Sequence, residues 1–116
     1  MKDFRELQVW HKAHKLVLEV YKVSAAFPKE EIYGLSSQIR RAAASVATNI
    51  AEGCGRGSKK ELKQFLQISM GSASEVEYQI LLSHELGYMD SKAYGNLDSD
   101  IQEVKKMLSC YIVKIN

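Results

Sequence analysis

The chain has 116 residues, a formal net charge of +2 and an apolar content of 46%. That is enough for one domain with a thin core, and too near neutrality for net charge alone to imply a nucleic-acid partner. A single proline favours long helices, and no segment reaches the roughly 18 uninterrupted apolar residues of a membrane span.

Residues 1–6 read as a polar lead-in, and MKDFRELQVW lacks the apolar run of a signal peptide. A cytoplasmic location with reduced thiols is therefore expected. A first helix is predicted over about 7–26. Trp10, Ala13, Val17, Val20, Ser24 and Phe27 step by threes and fours into one stripe, widened by Val9, Leu16 and Tyr21. Pro28 stops it, because the residue before a proline is pushed out of the α region. Residues 29–33 form a short connector.

The stretch 34–57, GLSSQIRRAAASVATNIAEGCGRG, predicts the second helix over 35–54. Leu35, Ile39, Val46 and Ile50 share one face, and the alanines between them allow neighbouring backbones to approach. It reads as the central rod of the molecule. Glu52 and Arg56 stand four apart with the acid first, the favourable order for a pair. Gly53, Gly55 and Gly57 predict a sharp stop.

Ser58 and Glu61 form a capping-box pattern, so a third helix is predicted from Lys59 to about 86. Its stripe is Leu62, Phe65, Ser69, Ala73, Val76, Ile80 and His84, flanked by Leu66, Met70 and Leu81. Gly71 costs roughly 1 kcal/mol in mid-helix relative to alanine. A close crossing with the second helix at Gly71-Ser72-Ala73-Ser74 is the expected compensation. Gly87 predicts a C-terminal cap and Asp90 an N-cap. The fourth helix, 91–115, carries a heptad of Tyr94, Leu97, Ile101, Val104, Leu108, Tyr111 and Ile115. The prediction is an all-α, antiparallel, up-down-up-down four-helix bundle with short loops, one domain over residues 1–116.

LQVWHKAHKLVLEVY, FPKEEIYGLSSQIRRAAASVATNIAEGCGR and FLQISMGSASEVEYQI, taken together and in order, resemble the small four-helix proteins encoded in intervening sequences of bacterial 23S ribosomal RNA genes. The likeness runs over about residues 4–86; the fourth helix matches only in character. The resemblance implies an antiparallel bundle that closes into a ring, a homopentamer. It also implies kinship with the accessory protein of diversity-generating retroelements, a basic pentameric barrel thought to bind nucleic acid and a reverse transcriptase. No biochemical activity is established for the intervening-sequence family.

Arg40, Arg41, Arg56, Lys59, Lys60 and Lys63 face only Glu52 and Glu61 within 40–63, and form the candidate nucleic-acid-binding set, for RNA or DNA. Adjacent Arg40 and Arg41 diverge by about 100°, and the other four surround the turn at the opposite end of the helix. The competing readings are solvated surface charge, with an arginine paired to Glu75 or Glu77, and a contact with an acidic protein. Asn49 and Glu52 read as structural groups, since a general acid/base site needs convergent partners. His11, His14 and His84 are too scattered for a metal, and two cysteines without a CxxC pattern argue against zinc. GCGRG follows a helix rather than a strand and has no Gly-Lys-Ser/Thr ending, so it is a helix stop and not a phosphate loop. Cys54 and Cys110 read as buried small apolar groups, and the tyrosines as core or interface.

Apolar residues on the first and third helices exceed what one four-helix monomer needs, which predicts self-association. The expectation is a non-enzymatic, cytoplasmic homo-oligomer, a scaffold with RNA or DNA as partner. No cofactor, metal or membrane partner is expected, and no small-molecule substrate is evident in the sequence. The alternative is a protein–protein adaptor without nucleic-acid contact.

Overall fold

The computed structural model describes residues 2–115; Met1, in the predicted lead-in, and Asn116 lie outside the described residues. Four helices run up, down, up and down: α1 (Gln8–Ser24), α2 (Leu35–Cys54), α3 (Lys59–Glu85) and α4 (Ser91–Ile115). Single 3-10 turns precede α1 (Phe4–Glu6) and α2 (Lys29–Glu31). Each helix packs on the next in sequence and α4 returns to α1, closing a square. The long dimension is 43 Å, close to the roughly 40 Å that α3 spans at about 1.5 Å per residue.

The α2–α3 seam is the tightest part of the core, and its small residues explain why. Ser69 Oγ donates to the Val46 carbonyl at 2.7 Å, and the Ser45 and Ser72 hydroxyls meet at 2.9 Å. A Cβ built on Gly53 would stand 3.0 Å from Phe65 Cβ and 3.1 Å from Leu62 Cδ1. Gly53 is therefore the glycine that close packing demands. Gly71, where that role was expected, is exposed, and a Cβ there would meet nothing within 4 Å. The reason is helical phase. Ser69 and Ala73 lie four apart on the seam, so Gly71 between them points about 200° away.

Along α1, Val9, Ala13, Leu16, Val20 and Ser24 are buried. The predicted stripe is thus rotated: Trp10 and Val17 are half-buried at its margin, and Tyr21 is exposed. Trp10 packs against the core from that margin, with Phe4 edge-on at 4.7 Å and His14 stacked at 4.9 Å. The helix ends at Ser24, two residues early, and the following turn carries Phe27 into the core beside Pro28.

Helix α2 occupies the predicted interval, but its start is capped from outside. Glu31 Oε1 accepts from the Leu35 N–H at 3.0 Å. A side chain at Gly34 would put its Cβ 2.7 Å from that carboxylate oxygen. Helix α3 begins at the Ser58 cap, whose Oγ accepts from the Glu61 N–H at 3.1 Å. It ends in a Schellman turn: Gly87 takes φ +81°, Gly87 N–H donates to His84 O and Tyr88 N–H to Ser83 O. On α3 the buried line is Leu66, Ser69, Ala73, Val76, Gln79, Ile80 and Ser83, whereas Leu62, Phe65 and His84 are half-buried and Leu81 is exposed. Asp90 caps α4 through the Ala93 N–H at 2.8 Å. Leu97, Ile101, Val104 and Leu108 of the heptad are buried, with Tyr94, Tyr111 and Ile115 half-buried at its ends.

Candidate nucleic-acid interface

Of the six predicted cations, Arg40 is committed to the fold. Its Nε donates to Ser24 Oγ at 2.7 Å and its terminal nitrogen to the Tyr21 carbonyl at 3.2 Å, with the guanidinium 4.9 Å over the Tyr21 ring. A cation at the last carbonyls of α1 offsets the negative end of that helix. Arg41 is exposed. It lies fifteen residues before Arg56 on the sequence, about 22 Å along a helix, so the structure does not bring the arginine pair to the turn. No arginine takes the expected Glu75 or Glu77. Glu75 accepts from Gln79, and Glu77 is held by Lys105 at 2.7 Å and by Gln102.

The turn group is different. Arg56 reaches Glu52 at 3.4 Å and Glu61 at 3.9 Å and lies 4.9 Å over the Phe65 ring. All three charged groups are nearly half exposed, so these pairs are weak and readily exchanged for another anion. Lys59 and Lys60 are exposed in the first turn of α3, and Lys63 is half-buried one turn on. A helix N-terminus carries partial positive charge, so lysines there oppose the helix dipole. The helix itself therefore does not explain the position of Lys59 and Lys60.

Four further lysines reach the same end of the bundle from distant parts of the sequence. The Lys2 N–H donates to the Cys54 carbonyl at 3.2 Å, laying the N-terminal segment across the end of α2. Lys114 arrives on the last turn of α4. With Arg56 and Lys59 they rim a depression of about 370 Å³ whose floor includes Leu62, Tyr111 and Ile115. Beyond Lys2 and Lys114, Lys12 and Lys106 line a second depression of about 550 Å³ between α1 and α4. The up-down-up-down order already implies this meeting, because it puts both ends of the chain beside the α2–α3 turn.

The remaining candidates resolve into structural roles. Asn49 donates to the Ser45 carbonyl at 2.8 Å and to its hydroxyl at 2.9 Å, whereas Glu52 faces Arg56; the two do not converge. His11 meets the Arg5 carbonyl at 2.7 Å, His14 stacks on Trp10, and His84 stacks on Tyr94 at 4.7 Å. Among the described residues no group of three or more His, Cys, Asp or Glu is disposed to hold a metal. Cys54 is buried, and burial pushes its thiol up, away from the reactive thiolate. Cys110 is exposed, contrary to the buried reading, because it lies off the α4 heptad. Gly55 N–H bonds back to Ala51 and Glu52, so GCGRG forms the helix stop. No described helix is long and apolar enough to cross a membrane. Large apolar groups remain outside, among them Leu18 (57% exposed) on α1, Tyr78 (60%) on α3 and Tyr33 (93%) in the connector.

Residues 5–110 match the family model described as 23S rRNA-intervening sequence protein. A crystal structure of a protein of unknown function from the S23 ribosomal protein family of Bacteroides thetaiotaomicron is similar at 25% identity. The match has a TM-score of 0.83 and covers 90% of this chain and 94% of that one. No curated protein matches.

Proposed function

The chain belongs to the 23S rRNA-intervening sequence protein family, and we propose that it is a self-associating, non-enzymatic scaffold that holds nucleic acid at one end of its bundle. The observation that carries this reading is the pair Lys59 and Lys60, exposed where the α3 dipole opposes them and next to a loosely paired Arg56. Cations kept at a cost to the helix are explained by an anionic partner, and a sugar–phosphate backbone is one that such cations bind without reading sequence. Leu18, Tyr78 and the other exposed large apolar groups support self-association. The number five is carried over from the family resemblance, and a cytoplasmic setting is part of the same proposal.

Retention of labelled RNA and DNA across a salt series tests the binding. At about 50 mM salt, where counterion release still favours association, both are expected to bind. Changing Arg56, Lys59, Lys60 and Lys63 to alanine should weaken that binding sharply and lower its salt slope. Loss of all binding by the parent protein leaves the second reading, a protein–protein adaptor, which the exposed Tyr33 and Leu18 favour. Light scattering tests the assembly in either case: a lone protomer at micromolar concentration removes the scaffold.

A further inference from the structure

We infer that the two depressions at the basic end form one trough that takes a single strand of nucleic acid, with its phosphates on the rim lysines and a base against Tyr111. This rests on the nucleic-acid reading above and makes it specific. The depressions share Lys2, Tyr111 and Lys114, so they are continuous across the last turns of α4. Lys2, Lys12, Arg56, Lys59, Lys106 and Lys114 line the trough, against Glu103 as its one lining acid. Glu103 is itself held by Lys12 at 2.9 Å and Arg56 is loosely paired with Glu52 and Glu61, which leaves Lys2, Lys59, Lys106 and Lys114 in excess. In a chain whose net charge is only +2, this is a strong local concentration.

The floor separates a single strand from other polyanions. Leu62, Tyr111 and Ile115 give it an apolar surface, and each is half-buried, so part of it is open to contact. The Tyr111 hydroxyl has no hydrogen-bond partner among the described residues. A cationic rim around an aromatic and aliphatic floor matches a phosphate chain carrying flat, apolar-faced bases. A duplex keeps its bases stacked inside and would meet only the rim. Charge alone predicts the opposite preference, because duplex DNA carries the denser charge and releases more counterions.

The test uses the full-length protein and fluorescence anisotropy with a labelled 12-nucleotide strand, alone or annealed to its complement, at several salt concentrations. The single strand is expected to bind about tenfold more tightly than the duplex. Tyr111→Leu, which keeps apolar bulk but removes the ring, should cost about tenfold on the single strand and leave the duplex unchanged. Tyr111→Phe should bind as the parent does, which separates stacking from a folding defect. Lys2→Ala with Lys114→Ala should lower the single-strand salt slope by about 1.4, at roughly 0.7 per cation. Equal or tighter duplex binding overturns the trough, and so does parental binding by the Lys2/Lys114 variant; both leave the basic-turn reading standing. Failure of the parent to bind either form removes both.

Discussion

The two ends of the bundle use charge in opposite ways. At the end where α1 meets α2 and α3 meets α4, polar groups close the fold. Glu31 caps α2 through the Leu35 N–H and accepts from the Tyr88 hydroxyl at 2.8 Å, tying the two connections together. Arg40 caps α1, Phe27 and Tyr88 pack ring to ring at 5.5 Å, and Phe27 and Met89 are buried. At the other end, Lys59 and Lys60 reach solvent and the Arg56 pairs are long. One end is spent on stability and the other leaves its cations available. A basic residue near a helix end therefore cannot be assigned a role from its type; the groups around it decide.

The contrast can be broken or sharpened by substitution. Arg40→Ala removes two charge-assisted bonds and leaves Ser24 buried beside an uncapped helix, so urea unfolding should show a loss of about 3 kcal/mol. Nucleic-acid retention should not change; a parallel loss of binding in the folded variant would return Arg40 to the interface. Gly53→Ala forces a Cβ against Phe65 and Leu62 and should cost about 2 kcal/mol by overpacking. If it proves neutral, the α2–α3 seam is looser than its geometry indicates.

A smaller effect, confined to acid, is expected of Glu31. The Leu35 N–H first, and then the Tyr88 hydroxyl, hold its carboxyl below the usual carboxylate range. A depressed folded pKa contributes stability that is complete above the unfolded value and lost as pH falls through the folded one. Thermal melts from neutral pH into the acid range should therefore fall more steeply for the parent than for Glu31→Gln. Parallel curves would mean that the carboxylate does not tie this end.

The last two changes should stabilise. Gly71→Ala fills open space in mid-helix and should gain about 0.8 kcal/mol. If light scattering shows that the same change dissociates the assembly, the outer face of α3 is the subunit contact. Lys59→Ala with Lys60→Ala should gain about 0.5 kcal/mol by relieving the α3 dipole while weakening nucleic-acid retention. Opposite movements of stability and binding are the signature of the open end; a loss of stability would make these lysines part of the fold.

Local rules made much of this architecture legible. The Ser58, Gly87 and Asp90 caps and the α4 heptad each follow from residues within one or two turns of one another. Where a choice depended on phase, the reading slipped. Spacing by threes and fours puts Trp10 on the α1 stripe with Val9 and Leu16 beside it, but packing buries Val9 and Leu16 and leaves Trp10 half-buried. Small neighbours point to Gly71, but the close contact is at Gly53. The candidate interface was half legible: the cations of the turn are visible as a run, but Lys2, Lys12, Lys106 and Lys114 are not.

By itself, the order of apolar residues and caps determined four helices and the antiparallel path joining them, because helix formation and termination depend on neighbours a few residues apart. Tertiary structure alone decided that Arg40 closes a helix while Lys2, Arg56, Lys59 and Lys114 gather around one depression. Charge acts through distance in space, and residues 2, 59 and 114 become neighbours only after the chain has folded back on itself three times.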